Sequence, residues 1–175
     1  MKLALTGTPG TGKSTVAKIL MSRGLKVAEL GELAKERKLL EKFDRKRGTY
    51  EVDIDKLDLA VGEMDDDQTT VLVGHLSHLV NSDIVIVLRC RPSVLAARLK
   101  ARGYRECKVA ENAEAEALDV ILVESAETGR EVYEVDTTNI SPEETADAVM
   151  SILAGEKEKY AIGNIDWSEE ALDWS

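Results

Sequence analysis

Cysteine is scarce in this chain. Cys90 and Cys107 are the two present, without metal-ligand spacing and far below the density of a secreted disulfide scaffold, so both read as reduced structural thiols. Long apolar runs are absent as well. The run after Met1 ends after about four residues in a glycine-rich loop, too short for a secretory signal, and nothing approaches the roughly 18 apolar residues of a membrane span. The expectation is a soluble, cytoplasmic chain with no membrane partner. Positive charge is outnumbered, 23 Lys and Arg against 33 Asp and Glu, giving a net charge of -10 and a pI near 4.8. Such a field repels nucleic acid and attracts basic proteins, so any RNA contact must be local. Internal repeats and low-complexity runs are missing, and so is the Asn-Lys-x-Asp segment with which GTPases read their base.

What is present fits one core. Of 175 residues 43% are apolar, enough for a single domain over 1–175 but not for two. Lys2–Thr6 reads as a strand and Lys13–Arg23 as a helix, with Val16, Ala17, Ile19 and Leu20 at helical spacing. A strand over Leu25–Leu30, a helix over Glu32–Leu40, a charged stretch to Gly48 and an aspartate-capped helix over Asp53–Met64 follow. Thr70–Val73 and Ile84–Leu88 are nearly continuous aliphatic runs, the mark of strands covered on both faces. Pro92 opens a helix through Ala101, Glu111–Thr128 is a further helix, Val132–Val135 a last strand, and Ser141-Pro142 starts a helix through Ala154. The alternation predicts an α/β fold, a five-stranded parallel sheet with helices on both faces.

Gly7-Thr-Pro-Gly-Thr-Gly-Lys-Ser14 matches Gly-x-x-x-x-Gly-Lys-Ser in full and stands between a strand and a helix. Glycines allow successive N–H groups to face inward, the helix presents its positive end, and Lys13 reaches the outer phosphates. Ser14 can place its hydroxyl on Mg²⁺ and Thr15 can touch an inner phosphate. The loop therefore predicts ATP and Mg²⁺ as ligands of a P-loop NTPase three-layer sandwich. With the GTPase segment missing and the chain too short for a large motor, small-molecule phosphoryl transfer is left.

These residues resemble a particular family, the adenylate kinase isoenzyme six or coilin-interacting nuclear ATPase group, whose archaeal members act in small ribosomal subunit assembly. The resemblance runs through Thr6–Thr15, Val52-Asp-Ile-Asp55, Gly74-His75, Val87-Leu-Arg89, Arg98–Tyr104, Lys108, Asn112 with Glu116, and Glu124. It implies a monophosphate-binding region near 30–52, a lid near 101–111, and ATP contacts from Gly10, Thr11, Gly12, Lys13, Ser14, Thr15 and Arg102. Lys13, His75 and Arg102 would be the catalytic set. Arg102 suits a closing segment that brings positive charge to the transferred group. One departure stands out: Val73-Gly-His75 occupies a strand end where the resembled family carries an acid, which leaves Ser14 as the metal ligand and Asp53 as a candidate substitute.

His75 follows a buried strand, at the edge where open parallel sheets bind ligands; it either orients a water or phosphate or bonds a loop carbonyl. His78 reads as a surface residue. Arg98 and Arg102 belong to the site or to a solvated helix face. Seven basic residues fall within Lys35–Arg47, read either as a solvated helix pairing with Glu36 and Glu41 or as cations for a monophosphate or ribosomal RNA. The tail, 155–175, carries Tyr160, Ile165, Trp167, Leu172 and Trp174, a closing strap, a partner-binding segment or a frayed end. Three functions follow: transfer from ATP to AMP or another nucleoside monophosphate with ATP hydrolysis beside it; ATP-dependent assembly work, largely non-catalytic, on a basic ribosomal platform protein; and a kinase for another small metabolite.

Overall fold

Strands with apolar side chains on both faces must be covered from both sides, and that requirement sets the architecture. The computed structural model describes residues 1–44, 49–64 and 67–174. Strands β1 (Lys2–Thr6), β2 (Lys26–Glu29), β5 (Thr70–Val73), β6 (Ile84–Arg89) and β7 (Glu131–Asp136) form one parallel sheet in the order β2-β5-β1-β6-β7. Helix α1 (Lys13–Ser22) follows β1, and α7 (Pro142–Leu153) follows β7. Both cover one face, where Leu3, Leu5, Ile86 and Leu88 meet Val16, Leu20, Val149 and Ile152. The opposite face is covered by α2 (Leu30–Glu36) and α3 (Ile54–Gly62) over Leu72, and by α6 (Val120–Glu127) over Ala4, Val85 and Val87. Helices α4 (Pro92–Ala101) and α5 (Glu106–Ala117) pack on each other beside the sheet. The expected three layers are present. Among the described residues no helix is long and apolar enough to cross a membrane.

Three element boundaries differ from the sequence-based expectation. Helix α2 stops at Glu36, and the stretch expected to continue it enters the antiparallel hairpin of β3 (Leu40–Asp44) and β4 (Thr49–Val52). Lys38, at φ 56°, makes the turn: Leu39 N–H donates to Ala34 O at 2.8 Å and Lys38 N–H to Lys35 O at 3.1 Å, a Schellman ending with lysine where glycine is usual. The single helix expected over Glu111–Thr128 is two, α5 and α6, broken by Asp119 at φ 55°. Strand β2 ends at Glu29, because Leu30 already begins α2.

The tail is a strap. Ala161 bridges Tyr133, the N–H groups of Gly163, Asn164 and Ile165 all donate to Glu134 Oε1 at 2.9–3.1 Å, and α8 (Ser168–Trp174) packs on α5. Trp167 is buried. Lys35 pairs with Glu32 and Arg37 with Glu63; Arg45, Lys46 and Arg47 of the basic run lie outside the described residues. Cys90 is buried, its thiol pushed up to about 11 by burial, and Cys107 is exposed.

Candidate functional site

The phosphate loop leaves the end of β1 in the middle of the sheet. At Gly7 any Cβ would stand 2.4 Å from Leu88 O, so only glycine lets the loop pass the neighbouring strand. Gly12, at φ 100°, turns the chain into α1, whose N-terminus has no side-chain cap. Its first amides are therefore presented as an anion seat. Lys13 Nζ bends back to donate to Gly7 O at 2.6 Å and Thr8 O at 3.0 Å. Burial lowers its pKa to about 8; Glu116 and Glu29 oppose that shift and Arg102 adds to it.

Cavities flank the loop, and three form a row running away from it. One of about 420 Å³ is lined by Gly10, Thr11, Arg98, Arg102, Thr137 and Ile140. A second, of about 410 Å³, holds Lys13, Ser14, Glu29, Val73, His75 and Arg102. The third, of about 540 Å³, is walled by Gly31, Lys35, Tyr50, Val52, His75 and Leu79. Arg102 and the loop glycines are common to the first two, and Gly31 and His75 to the last two. The predicted residues Gly10, Gly12, Lys13, Ser14, Thr15, His75 and Arg102 are thus brought together, with Thr11 beside them. Arg98 is not a solvated-face residue: its guanidinium donates to Thr137 O at 2.7 Å, on the wall of the first cavity.

The histidines divide differently from the sequence reading. His75 is exposed where the second and third cavities meet, and partial desolvation, with Lys13 and His78 nearby, lowers its pKa, so it is neutral at neutral pH. His78, expected on the surface, is 1% exposed. Its Nδ1 lies 3.0 Å from the Thr6 hydroxyl and its Nε2 2.9 Å from Glu124. Glu124 is acceptor-only, which assigns the ring proton to Nε2 and leaves Nδ1 an acceptor facing the Thr6 hydroxyl, which also has His75 O at 3.3 Å as a partner. Asp53 caps α3: its carboxylate accepts from Lys56 N–H at 3.1 Å and pairs with Lys56 Nζ at 2.6 Å, bonds that hold its pKa down. It does not line the cavity of Ser14.

Three further residues take part, of which Glu116 alone belongs to the family resemblance. Thr137, just past β7, sets its hydroxyl 3.1 Å from Thr11 O and 2.8 Å from Arg89 O. Glu116 accepts from the Thr8 hydroxyl at 2.6 Å and from Arg89 Nε at 2.8 Å, with Trp167 Nε1 at 3.4 Å. Glu29 ends β2. Polar residues at the carboxyl ends of parallel strands are the signal that could have pointed to Thr137 and Glu29; Glu116 is marked by its pairing with Asn112 in the resemblance, while its partners Thr8 and Arg89 come from the fold. Among the described residues no three His, Cys, Asp or Glu converge as a metal cage.

Loop, sheet order and adjoining cavities define a P-loop nucleotide-binding protein, and the sequence profile of the AAA domain matches residues 3–119. The YorR protein of Bacillus subtilis, solved in complex with phosphorylated GDP, shares the fold at a TM-score of 0.61 and 18% identity, over 89% of this chain and 97% of that one. Archaeal proteins named "Putative adenylate kinase" are similar along the whole length. That of Archaeoglobus fulgidus is 48% identical over 99% of this chain and 95% of its own, and that of Methanothermobacter thermautotrophicus 49% over 95% and 96%. That of Methanocaldococcus jannaschii is 41% identical over 99% and 97%. The chain belongs to the family these archaeal P-loop nucleotide kinases make up.

Proposed function

We propose that this protein transfers the terminal phosphoryl group of ATP to AMP or another nucleoside monophosphate, with ATP hydrolysis as a slower companion reaction. The observation that carries this is the row of cavities: base side, phosphate side and acceptor side, joined first at Arg102 and then at His75 and Gly31. A bare hydrolase or switch has no need of the third.

Phosphoryl transfer asks the protein for position and charge rather than covalent chemistry. The first amides of α1 and the Lys13 ammonium hold the β- and γ-phosphates; Arg102, facing both the base-side and phosphate cavities, meets charge growing on the equatorial oxygens. Neutral His75 orients the acceptor phosphate or, when none is bound, a water. Ser14 offers a hard hydroxyl oxygen in the phosphate cavity, a donor that fits Mg²⁺. A metal held there would supply positive charge that offsets the charge of the phosphates.

Incubation with ATP, Mg²⁺ and AMP should yield ADP, and Lys13→Ala should lower the rate at least about 100-fold. Equal turnover by that variant overturns the assignment. A substrate panel tests the acceptor, since a metabolite outrunning every nucleotide moves the reaction to another class of kinase. A second role, assembly work on a basic ribosomal platform protein, draws support from the net charge of -10. It predicts salt-sensitive, ATP-modulated capture of such a protein, and no binding at low salt removes it.

A further inference from the structure

A nucleotide-bound Mg²⁺ takes oxygen ligands in an octahedron, keeps several waters, and usually draws one or two carboxylates from the protein. With no protein cage among the described residues, the carboxylate has to come from the walls of the phosphate cavity. Those walls contain one, Glu29. Asp53 is engaged by Lys56, and Glu116 by Thr8, Arg89 and Cys90 N–H. Val73 faces Glu29 in the parallel register of β2 and β5 and offers no donor.

Glu29 occupies the N-cap position of α2, yet its side chain makes no capping bond there. It lines the same cavity as Lys13 and Ser14.

The geometry points to Glu29 as the carboxylate partner of the Mg²⁺ that accompanies ATP, acting across the cavity from Ser14. This rests on the P-loop kinase reading above and adds to it the residue that fixes the metal. Glu29 is a metal-positioning residue; Lys13 and the α1 amides hold the nucleotide without it.

The test separates metal from nucleotide. Water-proton relaxation enhancement by Mn²⁺, with protein and the non-hydrolysable analogue AMP-PNP, reads metal held in the ternary complex; calorimetry in EDTA reads the metal-free nucleotide. Glu29→Gln should weaken Mn²⁺ in the ternary complex by about 10-fold or more, the usual loss when a partner of a metal site is removed. Glu29→Asp should lose less, and metal-free AMP-PNP affinity should stay within about 2-fold in both. A thermal melt shows which variants are folded, and either folded variant decides. Unchanged Mn²⁺ affinity with normal nucleotide binding overturns the assignment and leaves the kinase reading intact. Were Glu29 a mere counter-ion for Lys13, metal-free affinity would change and Mn²⁺ affinity would not, which also overturns it. A wild-type protein that binds no AMP-PNP defeats both.

Discussion

Lys13 donates to the carbonyls of Gly7 and Thr8 and, being buried, has a pKa near 8. Polyphosphate set against the ammonium stabilises its charged form, so ATP binding must raise that pKa, and the partly neutral lysine takes up a proton from solution. Calorimetry at pH 8.5 in buffers of different ionisation heat should show proton uptake on ATP binding, lost in Lys13→Ala. For the free protein the sign runs the other way from a stabilised cation: the native state prefers neutral lysine, so this group adds stability as pH rises from about 8 toward its ordinary 10.5. The histidines give a paired test. His75→Ala removes an exposed cavity residue and should cut transfer while leaving the melting temperature within a few degrees. His78→Ala removes a buried side chain and the nearer partner of the Thr6 hydroxyl, leaving it only His75 O at 3.3 Å, and should cost about 1–3 kcal/mol of stability in urea titration.

Helix α2 shows a residue doing another residue's task. Lys38 carries the left-handed turn of the Schellman ending at a cost of about 1–2 kcal/mol, part of which glycine would return as chain entropy. Lys38→Gly should therefore stabilise the protein by about 0.5–1 kcal/mol, read as a higher urea midpoint at constant slope. The same lysine explains why the end of α2 could not be read: the glycine that announces a helix stop is absent, and the polar run of Lys35–Lys38 looks helical. Asp119 hides the break between α5 and α6 in a similar way, and it is held in its turn by an ion pair with Arg89, a partner 30 residues away. The five core strands and the phosphate loop were legible because their signals are contiguous. Glu29 and Thr137 were not, since each is a lone polar residue whose meaning depends on which strand end or loop it meets; Glu116 is marked by the resemblance, but its tie to the phosphate loop comes only with the fold.

Across the whole molecule, one buried guanidinium joins sheet, helix α5 and strap. Arg89, 1% exposed, bonds Glu116 at 2.8 Å and Glu134 at 3.0 Å; Glu116 holds Thr8, and Glu134 receives three backbone N–H groups of the strap. Arg89→Met would leave two buried carboxylates without their cation and should cost about 3–5 kcal/mol in urea unfolding, far more than a surface pair.

The loop that awaits phosphate is staked from both flanks, by Glu116 on the Thr8 hydroxyl and by Thr137 at the Thr11 carbonyl, with Thr11 Oγ1 tied to Thr8 O at 2.9 Å. Freedom that an arriving triphosphate would have to quench has already been surrendered during folding. The Thr11 amide hydrogen, bonded to Thr8 O, should exchange with deuterium slowly even in the nucleotide-free protein, and saturating ATP should slow it little further.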